Sequence, residues 1–212
     1  MSIFNIDGKF YSVMLKISDL IILNCLFIIM SIPLITIGAN MTALYYVSFK
    51  IVREEEYSLF KDYWKSFKGN FKQATILWSL ILIVGFSLIF YVKYFDVLAN
   101  MNFLLKLFFS ILLCIYLIYF IYVFPLLSRF EFKIKDLLYS LPIIAIRYLF
   151  CTLIVTLIII APLIIFTLWL PKYFTTYLLI LAVGGISGTV ALNASFFSKA
   201  FDNLMIVTSE NA

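Results

Sequence analysis

The sequence predicts an all-α membrane protein, a polytopic bundle of transmembrane helices in a single domain covering residues 1–212. Three observations carry that expectation. Hydrophobic residues make up 65% of the chain and charged residues only 13%, against roughly 45–50% and about 25% in ordinary soluble domains; the mean hydropathy is +1.10. A water-soluble fold of this size has too little interior to hide so much apolar surface, so lipid must cover it. Long apolar runs recur at Leu20 to Ile37, Ala74 to Val92, Leu107 to Leu127, Tyr148 to Leu170 and Tyr173 to Phe197. Each holds about 18 residues or more, enough to cross a hydrocarbon core of roughly 30 Å at about 1.5 Å per residue. The short alternating segments of a barrel are not seen, and helices satisfy their own backbone in lipid.

The first run follows Lys9 and Lys16 and lies near the start of the chain, as a secretion signal would. It continues through Pro33 and Gly38 with no small-residue cleavage site and no polar mature domain behind it, so it reads as a resident helix. Ala39 to Phe49 is short and mildly polar. It either crosses the membrane with Lys50 and Arg53 snorkelling or turns back as a half-helix. Charge asymmetry favours a crossing. Six crossings with both termini cytoplasmic leave only Lys93, Lys106 and Lys172 of the 16 basic residues outside, whereas five crossings add Lys9 and Lys16 to that side. The expected location is a membrane crossed several times, with the N- and C-termini cytoplasmic.

Between the spans, Ser58 to Lys72 reads as an amphipathic helix on the cytoplasmic surface. Phe60, Tyr63, Trp64, Phe67 and Phe71 recur at helical spacing, with Lys61, Asp62, Lys65, Lys68 and Lys72 on the remaining faces and Ser58 as N-cap. A second surface helix is expected where Ile134, Leu137, Leu138 and Leu141 repeat the spacing. Lys61-Asp62-x-x-x-Ser66 matches Lys135-Asp136-x-x-x-Ser140 at one offset, and each leads into an apolar hairpin. Residues 58–127 and 132–205 thus form a candidate internal repeat. The two surface helices either anchor the fold at the interface or dock a cytoplasmic partner, with Phe60, Tyr63, Trp64, Phe67, Phe71, Lys61 and Lys65 as the contact set.

Catalytic chemistry finds few footholds. The chain has no histidine, which removes the commonest general base, metal ligand and nucleophile partner. Gly185-Ile186-Ser187-Gly188 resembles the Gly-x-Ser-Gly of intramembrane rhomboid proteases, yet no histidine exists to activate the serine. The same stretch reads as a packing seam, with Gly184 and Gly188 four apart and Ala191 and Ser195 four apart. Cys25, Cys114 and Cys151 lie inside apolar runs without CxxC spacing, so neither disulfide nor zinc is indicated. Glu54, Glu55 and Glu56 point in different directions on a helix and read as a solvated loop. No cofactor or metal is expected. A membrane enzyme would have to work with Asp62, Asp136, Glu131 or the Glu54 to Glu56 run, no two of which show a catalytic spacing.

Ion-coupled transport commonly leaves an ionisable residue at mid-membrane, and the apolar runs contain only neutral polar groups such as Thr152, Thr156, Thr167 and Asn193. The most unusual cluster is Asn24, Thr36, Asn40 and Thr42 around Pro33 and Gly38, two residues able to break a helix at membrane depth. Such a break serves either as a kink or as a substrate site. The net charge of +5 suits topology and anionic headgroups, and no nucleic-acid partner is expected.

Several of these segments together resemble the YesL-like family of bacterial integral membrane proteins, a domain of unknown function. They are Asn24, then Ser31 to Ala39 with its Pro-x-x-Thr-x-Gly-Ala element, Thr42-Ala43-Leu44, Phe60 to Phe67 with Asn70-Phe71-Lys72, and Phe124 to Phe130. Cys25-Leu26-Phe27 departs from the family's usual Leu-Trp pair. The resemblance implies a link to carbohydrate utilisation and sugar ABC-importers. The expected function is therefore a non-enzymatic accessory subunit contacting importer subunits within the lipid bilayer. The alternative is a stand-alone transporter or channel with its site at the Pro33 to Thr42 break. The chain is not expected to be the permease itself, since Leu141-Pro142 lacks the Glu-Ala-Ala loop of that class. The oligomeric state is left open.

Overall fold

A computed structural model describes residues 9–93, 103–130, 132–166 and 171–210, and among these every regular element is helical. The elements are α1 (Lys9–Met30), a 3-10 turn (Leu34–Thr36), α2 (Ile37–Val52), α3 (Leu59–Lys93), α4 (Phe103–Arg129), α5 (Ile134–Arg147), α6 (Leu149–Ile164), α7 (Phe174–Ile180) and α8 (Ile186–Glu210). A π-helical turn at Leu181–Gly185 joins α7 to α8. Glu131 and Thr167 lie outside the described residues.

Four stretches are long and apolar enough to cross a membrane: Phe10–Met30, Leu59–Phe90, Leu107–Arg129 and Phe174–Asp202. Ile134–Arg147 with Leu149–Pro162 makes a fifth if counted as one span, although the pair is bent by 97°. The chain is a polytopic helical membrane protein, as its composition requires.

The sixteen-residue α2 is the hub. It packs against α1, α3, α4 and α8, and eleven of its residues are buried. At about 24 Å it is shorter than a hydrocarbon core of about 30 Å. It runs antiparallel to α1, because Lys16 near the start of α1 pairs with Glu54 just beyond the end of α2 at 2.7 Å. Ala39 to Phe49 therefore returns to the end from which α1 sets out. A Schellman arrangement stops α2 there: Glu55 N donates to Lys50 O and Glu54 N to Ile51 O, with Glu54 in the left-handed region at φ 57°.

Two expectations about local structure need correction. The amphipathic segment 58–72 is not a separate surface helix; it is the first part of α3, a continuous helix of 35 residues about 52 Å long. Nothing between Lys72 and Ala74 interrupts a helix, so the ladder runs through. Gly38, in turn, is not the helix break. Pro33, with extended backbone, opens the 3-10 turn, whereas Gly38 lies within α2. A Cβ there would stand 2.6 Å from both Ala74 O and Trp78 Cβ, so α2 and α3 touch backbone to backbone at this point.

The second amphipathic helix is separate. In α5, Leu137, Leu141, Ile144 and Ala145 are buried, while Ile134 and Leu138 pack against the core from its edge. Tyr148, at φ −112° and ψ 43°, ends it. Thr152 Oγ1 then donates to Ala145 O and Tyr148 O, each at 3.1 Å, and meets Tyr122 OH at 2.7 Å.

Candidate functional site: the basic end of the bundle

The start of α1, the end of α2, the start of α3, the end of α4 and Asp202 of α8 gather at one end, held by charge. Asp202 bridges Arg53 and Arg129, the latter at 3.5 Å. Lys50 pairs with Asp62 at 3.0 Å, and the same Asp62 oxygen accepts from Ser58 N at 2.9 Å. The start of α3 is thus tied back by Asp62, with Ser58 at the N-cap position. Tyr57 donates to Asp19; burial and that carboxylate push the Tyr57 hydroxyl up to about 12. Lys16 holds the Glu54 carboxyl below its ordinary range. Glu55 pairs with Arg53 at 3.4 Å. Two of the three glutamates are thus paired, Lys50 reaches the backbone O of Glu56, and among the described residues no group of three acids or cysteines is placed to hold a metal.

Below this end, the predicted polar cluster separates. Asn24 belongs to a clamp on the π turn. Its Nδ2 donates to Leu181 O at 3.0 Å and Ala182 O at 2.7 Å, while its Oδ1 accepts from Ser187 N at 3.1 Å. A π turn leaves carbonyls without their i+4 partners, and Asn24 supplies the replacement donors. Ser187 Oγ completes the clamp with Leu20 O at 2.7 Å. Thr36 caps its own break by donating to Met30 O and Pro33 O. Thr42 bonds Gly38 O within α2. Asn40 Nδ2 donates to Ser31 Oγ at 3.0 Å, and its Oδ1 accepts from Tyr63 OH at 3.3 Å. Trp78 Nε1 adds a bond to Leu34 O at 2.9 Å. The break is closed by bonds within the protein.

The predicted packing seam on the last helix also shifts. A Cβ on Gly188 would meet nothing within 4 Å, and one on Gly184 would make only an ordinary contact with Ile21. Ala191 is buried, and Ser195 turns its hydroxyl to Ala191 O. The packing face of α8 is instead Val190, Ala194, Phe197 and Phe201, with Phe197 stacked on Phe201 and tilted against Tyr122 at 5.0 Å.

The aromatic set on α3 divides in two. Tyr63 and Phe67 are core residues, whereas Phe60, Trp64 and Phe71 are 64%, 45% and 40% exposed. Lys68 lies over the Trp64 ring at 5.0 Å, and Lys61 and Lys65 are exposed beside this ridge.

On another face of α3 lies a feature that sequence spacing did not reveal. Lys65, Ser66, Gly69, Asn70 and Gln73 face Leu127, Ser128, Arg129, Phe130, Phe132 and Lys133 across a cleft of about 610 Å³, with Tyr46 of α2 at its floor. Among the described residues that line the cleft, three are cationic and none is acidic; Glu131, between Phe130 and Phe132, lies outside the described residues. The only advance signal was the basic character of Lys65 and of Arg129 to Lys135, which are too far apart in sequence to be joined by pattern alone.

These features define a polytopic membrane protein whose helix break is bonded within the protein and whose basic end is clefted. Residues 20–97, which run from α1 through α3, match a family model described as a protein of unknown function, DUF624. No curated protein and no solved structure matches the chain.

Proposed function

We propose that the chain is a non-enzymatic accessory subunit of a sugar importer of the ABC type in a bacterial plasma membrane, with both termini cytoplasmic and the basic end turned toward the importer. The observation that carries this reading is the state of the predicted mid-membrane site: Asn24, Thr36, Asn40 and Thr42 each spend their hydrogen bonds on the protein's own backbone or side chains. That favours partnership over a solute path through the Pro33 to Thr42 break. The resemblance to the YesL-like family supplies the carbohydrate link. The exposed Phe60, Trp64 and Phe71 beside Lys61 and Lys65 supply a surface of the right chemistry for a protein contact.

Affinity purification of the tagged chain from native membranes in mild detergent tests this directly. Permease or ATPase subunits of a sugar importer should co-purify, and Trp64→Ser with Phe60→Ser should reduce their recovery several-fold. Recovery of the chain alone or as a homo-oligomer would overturn the reading, as would sugar flux into vesicles containing only this protein.

A further inference from the structure

We infer that the cleft between α3 and α4 binds a phosphate-bearing anion, with Arg129, Lys65 and Lys133 supplying charge and Gln73 a directional donor. At about 610 Å³ it falls in the size range of small-ligand sites, roughly 300–1,000 Å³. Arg129 Nε is buried and has no hydrogen-bond partner among the described residues. An unpaired buried donor is costly, more so on a charged group, so the Arg129 guanidinium keeps unmet hydrogen-bonding capacity behind the cleft wall. Asp202 does not neutralise the site, because it is shared with Arg53 and stands 3.5 Å from Arg129. Lys65 and Lys133 form no ion pair among the described residues, so the cleft keeps a net positive charge that Asp202 beside Arg129 and Asp62 acting on Lys65 offset only in part. A guanidinium and two lysines lining one cleft suit a phosphate better than a single carboxylate.

Two sources carry this chemistry. Arg129 ends a span, Leu107–Arg129, so the cleft opens where phospholipid headgroups lie; a soluble phosphorylated compound would reach the same groups from the aqueous side. The inference stands apart from the importer reading, since it concerns the isolated chain.

The test uses the purified full-length protein in phosphatidylcholine nanodiscs. One arm titrates in phosphatidylglycerol and reads bound lipid by native mass spectrometry; the other titrates inorganic phosphate and reads the unfolding midpoint. Lys65→Gln with Lys133→Gln, both exposed and therefore harmless to folding, should weaken binding in one arm by about tenfold or more, as expected for losing two charge-assisted contacts. Lys68→Gln with Lys72→Gln, on the same helix but outside the cleft, should change it less than about twofold, the scale of diffuse surface attraction. Dependence in the phosphatidylglycerol arm assigns the headgroup, and dependence in the phosphate arm assigns a soluble anion. No binding in either arm, or equal losses from the two lysine pairs, would overturn the site.

Discussion

Residues 59–93 and residues 134–164 open on the same pattern, a Lys-Asp pair followed four positions after the Asp by a serine, and then take opposite courses. The first continues as one helix of 35 residues; the second turns by 97° on entering its apolar half. At the shared offset Ala74 corresponds to Tyr148 and Trp78 to Thr152. Ala74 is fully buried and lies under Gly38, so α2 is pressed along α3 through the junction. At the second junction a bulky Tyr148 leaves helical geometry, and the Thr152 hydroxyl reaches back to Ala145 O across the turn. The opening pattern marks where a helix begins, but the neighbour at the junction decides whether it continues.

Substitutions at the two junctions sharpen this contrast, and the largest effect falls on the straight one. Gly38→Leu places a side chain where even a Cβ meets Ala74 O and Trp78 Cβ at 2.6 Å. It should cost about 3 kcal/mol or more by overpacking, read as a large drop in unfolding midpoint in detergent or loss of monodisperse protein. A wild-type midpoint would show that α2 does not brace α3. Thr152→Val at the bent junction removes the bonds to Ala145 O and Tyr122 and should cost about 1–2 kcal/mol; an unchanged midpoint would mean the bend needs no such support.

The matched acids give a finer comparison. Asp62 is half-shielded, pairs with Lys50 and ties down Ser58 N, so Asp62→Ala should cost about 1–2 kcal/mol. Asp136 is exposed, and Asp136→Ala should stay within about 0.5 kcal/mol. Equal losses would erase the asymmetry. The smallest effect is expected at Glu54→Gly, which relieves a left-handed backbone at φ 57° while giving up an exposed pair with Lys16. The unfolding midpoint should stay near that of the wild type or rise slightly; a clear loss would show that the pair outweighs the backbone.

Helix class and most span positions were legible in the sequence because lipid demands long apolar runs and permits few architectures. The fusion of residues 59–72 with the following span was not, since Gln73 and Ala74 carry no breaker and an amphipathic segment looks the same whether it lies flat or continues upward. Gly38 was misassigned as a break because a glycine needed for close helix contact and one needed for a kink look identical until the partner, Ala74, is known. The π turn at Leu181–Gly185 left no periodic signature, so Asn24 could be singled out as an unusual polar residue but not matched to its carbonyls. The basic cleft draws on residues near positions 46, 65–73 and 127–133, and only the packing of α2 and α4 against α3 assembles it.

Because α3 runs straight past the basic end, it carries both the exposed aromatic ridge and one wall of the cleft on a single rigid element. Pulsed electron spin resonance tests that contrast most directly, with label pairs of equal sequence separation at Phe60 and Ile89 and at Lys135 and Ile164. A straight helix places the first pair about 44 Å apart, whereas a 97° bend near Tyr148 brings the second pair to roughly 30 Å, before label linkers. That inequality is the result predicted here; equal distances for the two pairs would contradict it.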